Sequence, residues 1–155
     1  MIKLKTFGSF TVGNGLTSVQ EGAWRSEKLE KLFVYLAMNR NRGVCIEDIS
    51  EAIWQVEEET DNPVGALKNL AYRLRKALRD ASFGEECIVS VRGGLYKWND
   101  DVEVTIDVEE FDRYINEAEM AFCRSKETAI ESYEKAIALY HGDFLPLRTD
   151  THWFM

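Results

Sequence analysis

The stretch Asn62-Pro63-Val64-Gly65-Ala66-Leu67-Lys68-Asn69-Leu70-Ala71-Tyr72-Arg73-Leu74-Arg75-Lys76-Ala77-Leu78-Arg79 decides the fold. It opens with a helix-capping asparagine followed by proline, which suits the first helical position because it lacks an amide hydrogen there. Leu67, Leu70, Ala71, Leu74 and Leu78 then recur at helical period. At about 100° per residue they cluster within roughly 60° of Leu67. Gly65, Asn69, Tyr72 and Lys76 fall on the opposite side, with Arg73 beside them and Lys68, Arg75 and Arg79 on the flanks. One face can anchor in a core while the other presents cations and an amide. The segment carries Lys68, Arg73, Arg75, Lys76 and Arg79 and no acid. Taken alone, such a face reads equally well as a solvated basic surface.

The next segment changes that balance. Cys87 to Val91 and Leu95 to Trp98 read as strands joined through Arg92-Gly93-Gly94. A glycine pair between β-rich runs marks a hairpin, because tight turns need positive φ. Arg92 sits at the tip, where a cation can reach a minor groove or its phosphates. Lys97 lies on the returning strand.

Upstream, Ile2, Leu4 and Thr6 alternate with Lys3 and Lys5, and Phe10 and Val12 continue beyond Gly8. Two short strands are expected from Ile2 to Val12, a turn at Gly13-Asn14-Gly15, and a weakly marked third strand near Leu16–Val19. Ser26 is a good N-cap for a helix whose Leu29, Leu32, Phe33 and Leu36 share a face. A second helix is expected from about Ile46 to Gln55, with Ile49, Ala52 and Ile53 buried and Glu47 and Asp48 in its first turn, where the dipole favours anions. Trp24 and Trp54 read as core residues. The order β-β-α-α-α-β-β is that of a winged helix-turn-helix. The physical test is a third helix with a face suited to the major groove. Arginine suits bidentate contact with guanine and asparagine with adenine. Lys68, Arg75 and Lys76 suit phosphate oxygens.

Asn99-Asp100-Asp101 is a polar break, so residues 1–100 are expected as one unit and 107–155 as a second. Asp107, with Glu110 three residues on, reads as an N-cap. Val108, Phe111, Ile115, Ala118 and Phe122 then form an amphipathic stripe. A further helix from Lys126 to Tyr140 places Ile130, Tyr133, Ile137 and Tyr140 on one face, giving an all-α, TPR-like helical hairpin. The fold class expected is thus an α+β winged helix-turn-helix followed by that hairpin.

The net charge of −8 is unevenly placed. Residues 1–100 hold 14 Lys/Arg and 14 Asp/Glu, whereas 101–155 hold 5 and 13. Phosphates respond to the local field within about 8–10 Å, so the acidic second unit does not exclude a nucleic-acid partner for the first. No stretch approaches the roughly 18–20 apolar residues of a membrane span. Met1-Ile2-Lys3-Leu4-Lys5 lacks the apolar run of a signal peptide. A cytoplasmic location without a membrane partner is expected. Cys45, Cys87 and Cys123 are odd in number and lack metal-ligand spacing, and read as small hydrophobes in a reducing compartment. His141 and His152 have no ligand set around them. No phosphate-binding glycine loop and no nucleophile–base arrangement is present. Neither cofactor, metal nor catalysis is expected.

Residues 1–100 resemble the OmpR/PhoB-type winged-helix domain, in the form found in SARP-type (antibiotic regulatory protein) activators. The residues that carry this are Phe7-Gly8-Ser9-Phe10, Trp24-Arg25-Ser26-Glu27-Lys28, Ile53-Trp54, Leu74-Arg75-Lys76-Ala77-Leu78 and Val91-Arg92-Gly93-Gly94-Leu95-Tyr96. Asp107, Phe111 and the run Ala138-Leu139-Tyr140-His141-Gly142-Asp143-Phe144-Leu145-Pro146 resemble the start of the bacterial transcriptional activator domain that follows in that family. The resemblance implies that Asn69 and Arg73 face bases, that Lys68, Tyr72, Arg75 and Lys76 favour the backbone, and that Arg92 is the wing arginine. It also implies binding to direct repeats of double-stranded DNA as a head-to-tail pair. The loop between the second and third helices, here with Glu57, Glu58, Glu59 and Asp61, contacts RNA polymerase (sigma or alpha subunit) in such activators; a solvated acidic loop is an equal reading. The activator domain normally runs for several more helices than 107–155 holds. An incomplete stack exposes apolar surface, which favours self-association as a homodimer. The competing function is a protein-interaction module whose winged helix no longer grips DNA, motivated by the zero balance of residues 1–100.

Overall fold

The computed structural model describes residues 1–54, 62–83 and 86–142. Three strands come first: β1 (Ile2–Lys5), β2 (Thr11–Gly13) and β3 (Ser18–Gln20). Three helices follow, α1 (Glu27–Met38), α2 (Ile46–Ile53) and α3 (Pro63–Asp80). The hairpin is β4 (Ile88–Val91) and β5 (Leu95–Trp98), then β6 (Val104–Ile106), α4 (Asp107–Ala121) and α5 (Lys126–Leu139). The winged helix and the helical region after it are therefore both present, as the sequence implies.

One strand was not expected. β6 pairs in parallel with β1, Ile2 opposite Val104 and Leu4 opposite Ile106, and completes a sheet in the order β3-β2-β1-β6. A parallel partner needs a long crossover, and here the crossover contains the three helices and the wing. The stretch after the polar break thus returns to the N-terminal sheet. On β1, Ile2 and Leu4 are buried and Lys3 and Lys5 exposed, the alternation expected of a sheet with one wet face.

Ser26 caps α1, its side chain accepting from the Leu29 N–H at 3.3 Å. The helix is buried on more than the predicted face: Val34, Tyr35 and Ala37 are enclosed, and so are Glu30 and Lys31. Glu30, only 1% exposed, accepts from the Gly22 N–H at 3.0 Å and so holds the turn before the helix. α2 buries Ile49, Ala52 and Ile53 but stops at Ile53, two residues short of expectation, with Trp54 in extended backbone. α3 buries the five residues of the predicted face. Its cap is Asn62, which accepts from the Gly65 N–H at 3.1 Å. A Cβ on Gly65 would lie 2.5 Å from the Asn62 amide nitrogen, so glycine leaves room for the cap.

Two sequence expectations about the helical hairpin need correction. Asp107 is not the cap of α4; Ile106 holds that position. The Asp107 carboxylate instead accepts from the Thr6 N–H (2.9 Å), the Thr6 hydroxyl (2.7 Å) and the Phe7 N–H (3.0 Å), and from Val108 N–H beside it (2.9 Å). The stripe Ile130, Tyr133, Ile137 and Tyr140 is not the face α5 buries. Ala129, Ser132 and Ala136 are buried, while Ile130 and Ile137 are 56% and 69% exposed. Together with the buried Ala118 of α4 they make a contact of small residues. Small side chains allow two helices to approach closely.

The hairpin is fixed to the rest of the molecule at four places. Asp107 grips the end of β1 as above. Phe7 packs edge-on against Phe111 and at a tilt against Tyr140, with ring centroids 5.5 and 5.3 Å away. Gly8, at φ +81°, lies so close to the chain leaving α5 that a Cβ would sit 2.6 Å from the His141 carbonyl oxygen. At the other side Arg40 makes a two-pronged pair with Glu109, at 2.7 and 2.9 Å, and these bonds raise the Arg40 guanidinium pKa above its ordinary value.

Candidate nucleic-acid interface

The outward side of α3 is polar and open. Lys68, Asn69, Arg73 and Lys76 are exposed, and Tyr72 is 61% exposed. Arg79 is exposed as well, seven residues and about two turns beyond Tyr72. None of these side chains lies under α4, which packs instead on β1 and β6. Among the described residues, the acidic helices therefore leave the cationic face uncovered.

The wing stands next to this face. Its strands pair from Ile88–Trp98 to Val91–Leu95, and Arg92, Gly93 and Gly94 form the turn. Gly93 and Gly94 take φ of +83° and +74°, the region the sequence reading required, and both face open space. Arg92 is exposed at this tip. The base of the wing is anchored in the core. Trp98 is buried, donates its indole N–H to the Val102 carbonyl at 2.8 Å, and meets Phe33 edge-to-face at 5.2 Å. Val44, before α2, exchanges two backbone hydrogen bonds with Tyr96, of 2.7 and 3.0 Å. Gly43 makes that approach close: a Cβ there would meet the Leu95 side chain at 3.0 Å.

Two of the cations assigned to DNA from sequence are otherwise engaged. Arg75 turns toward β4, its Nε donating to the Ile88 carbonyl and its Nη2 to the Ser90 hydroxyl, each at 3.3 Å. Lys97 is 2.7 Å from Asp100, three residues on, at the root of the wing rather than its tip. Periodicity places a residue on a face but says nothing of what stands opposite. Glu57, Glu58, Glu59 and Asp61 lie outside the described residues. Among the described residues no three His, Cys, Asp or Glu side chains could hold a metal ion, and no helix is long and apolar enough to cross a membrane.

Residues 21–98 match the family described as "Transcriptional regulatory protein, C terminal". The chain belongs to this family. The match runs from the turn before α1 to the last residue of the wing, so it contains both α3 and the hairpin that carries Arg92. Its fold is that of a solved structure, Mycobacterium tuberculosis EmbR in complex with a low affinity phosphopeptide: TM-score 0.72 over 94% of this chain, at 20% identity. At that identity the likeness concerns the fold. The chain covers 37% of the EmbR chain. No curated protein matches the sequence. A transcriptional regulatory domain, not an enzyme, is what the family match supports.

Proposed function

We propose that α3 is the recognition helix of a sequence-specific, double-stranded DNA-binding domain, and that the chain regulates transcription inside the cell. The observation that carries this is the division of α3: five apolar side chains in the core, and Lys68, Asn69, Tyr72, Arg73 and Lys76 outward beside a wing tipped by Arg92. Asn69 and Arg73 meet base edges in the major groove. Lys68, Tyr72 and Lys76 meet phosphates, which fix register without reading sequence. Arg92 reaches the neighbouring minor groove. Arg73→Ala is expected to cost about 1–3 kcal/mol of specific binding and to relax preference at one base pair. Lys76→Ala weakens all sequences alike and lowers the salt slope by about one. Selection of bound sites from random duplexes, followed by anisotropy titration at two salt concentrations, checks both. Absence of salt-dependent duplex binding by the wild type would establish the alternative, an interaction module that has lost DNA.

In this reading residues 1–100 bind DNA, on direct repeats and as a pair of copies, and residues 107–155 begin an activator domain with a TPR-like hairpin. The acids Glu57, Glu58, Glu59 and Asp61 offer a basic surface of RNA polymerase, on its sigma or alpha subunit, a complementary charge. Reversing the three glutamates to lysine should abolish activation in a transcription assay with DNA affinity unchanged or improved. Retained activation rules that contact out.

A further inference from the structure

We propose that Arg75 is a positioning residue: it braces the wing against the recognition helix and acts on DNA through Arg92, without touching a phosphate itself. The inference rests on the DNA-binding reading above. Arg75 lies on the flank of α3, between the buried leucines and the open cationic face, with its side chain 28% exposed. Its guanidinium is committed to β4. Nε donates to the Ile88 carbonyl and Nη2 to the Ser90 hydroxyl, at 3.3 Å each, and the Glu86 carboxylate lies 3.9 Å from Nε.

The backbone pattern explains why a side chain is needed there. In an antiparallel pair, successive carbonyls point alternately to the partner and away from it. Cys87 accepts from the Asn99 N–H at 2.7 Å, on the β5 side. The next carbonyl, Ile88, therefore faces out from the hairpin toward α3, where the Arg75 fork meets it. On the other edge of the hairpin, Tyr96 of β5 is tied to Val44 by two backbone bonds. The wing is held on one edge by main chain and on the other by Arg75. Ser90 lies one residue before Val91, whose pairing with Leu95 closes the Arg92-Gly93-Gly94 turn. The two glycines have no neighbour within 4 Å of where a Cβ would be, so the tip takes its direction from the strands below it. Fixing Ser90 fixes where Arg92 points.

A fork that spans a carbonyl and a hydroxyl cannot be replaced by a lysine, which is a single point donor. A phosphate contact could be. The experiment uses the full chain and a duplex selected by the wild type. Binding is titrated against salt for Arg75→Met, Arg75→Lys, Arg92→Ala and the double variant Arg75→Met/Arg92→Ala. Arg92→Ala is expected to weaken binding on the order of tenfold and reduce the salt slope by about one. Arg75→Met should do the same, Arg75→Lys should fail to rescue, and the double variant should be no weaker than either single. Additive losses, rescue by lysine or an unaffected Arg75→Met would overturn the proposal. Amide exchange in the free proteins supplies a second readout. In Arg75→Met the amides from Val89 to Leu95 should exchange faster while those of α1 keep their protection; unchanged wing protection would also overturn it. A wild type that binds no duplex defeats the DNA-binding reading, and with it any action of Arg75 on DNA, while amide exchange still shows whether Arg75 braces the wing.

Discussion

Asp107→Ala is expected to lower the unfolding free energy by about 3–5 kcal/mol. The carboxylate is buried and serves two separate segments: it accepts two bonds from Thr6 and one from Phe7 at the end of β1, and a fourth from Val108 in its own helix. Removing it leaves the amides of the buried Thr6 and Phe7 without that acceptor. A buried donor stripped of its partner costs about 1–3 kcal/mol. Asp107→Asn should cost less, since the amide keeps one accepting oxygen but turns an NH2 toward donors. Urea denaturation measures the loss. Limited proteolysis tests its location: cleavage between β6 and α5 should accelerate well before the wing becomes sensitive. A variant within about 0.5 kcal/mol of wild type, the usual range for surface changes, would mean that the aromatic contacts of Phe7 and the Arg40–Glu109 pair hold the hairpin without the carboxylate.

That carboxylate also marks where sequence stopped being informative. Asp107 and Glu110 have the spacing of a capping box, and the local pattern is the same whether the aspartate caps its own helix or grips a strand 100 residues away. Only the return of β6 to β1 separates the two. Val102-Glu103-Val104-Thr105-Ile106 does alternate, but three paired residues are too few to outweigh a polar break beside them. The helix α5 was expected where it lies, but its buried face was misread for a different reason. The larger apolar residues define its apparent stripe, yet the side chains it buries are alanine and serine, which periodicity weighs least. The start and buried face of α3 were legible because their signals are local: a cap with room made for it by Gly65, proline at the first position, and leucines that have one core to enter. The wing turn was legible because glycine at positive φ has few alternatives. For the interface the same division holds. Exposure of Lys68, Asn69, Tyr72, Arg73, Lys76 and Arg92 follows from period and turn, whereas the engagement of Arg75 with β4 and of Lys97 with Asp100 depends on what stands opposite.

Phe33→Ala should be among the most damaging truncations of an apolar side chain among the described residues, at about 4 kcal/mol. Its ring is fully enclosed and meets three others edge-on or nearly so: Trp98 at 5.2 Å, Trp24 at 5.7 Å and Phe10 at 6.4 Å. Such pairs add roughly 0.5–1.5 kcal/mol each beyond area. These partners come from different parts of the chain, Phe10 from just before β2, Trp24 from the turn before α1, and Trp98 from the end of the wing. Phe33 is therefore the point at which N-terminal sheet, helical core and wing share one aromatic cluster. A cavity there cannot be filled by relaxation of one element without displacing another, which is the condition for a large cavity cost. Phe33→Leu retains most of the volume and should cost about 1.5 kcal/mol, the upper end for volume-conserving exchange. Urea titration followed by tryptophan fluorescence reads both variants, since Trp24 and Trp98 flank the site. The folded fraction of Phe33→Ala should also bind duplex more weakly, with a reduced salt slope, because Trp98 anchors the strand that carries the wing. A loss below about 1.5 kcal/mol with an unaltered salt slope would show that wing and sheet are joined elsewhere, and would leave the Val44–Tyr96 pairing and the Arg75 brace to hold the wing between them.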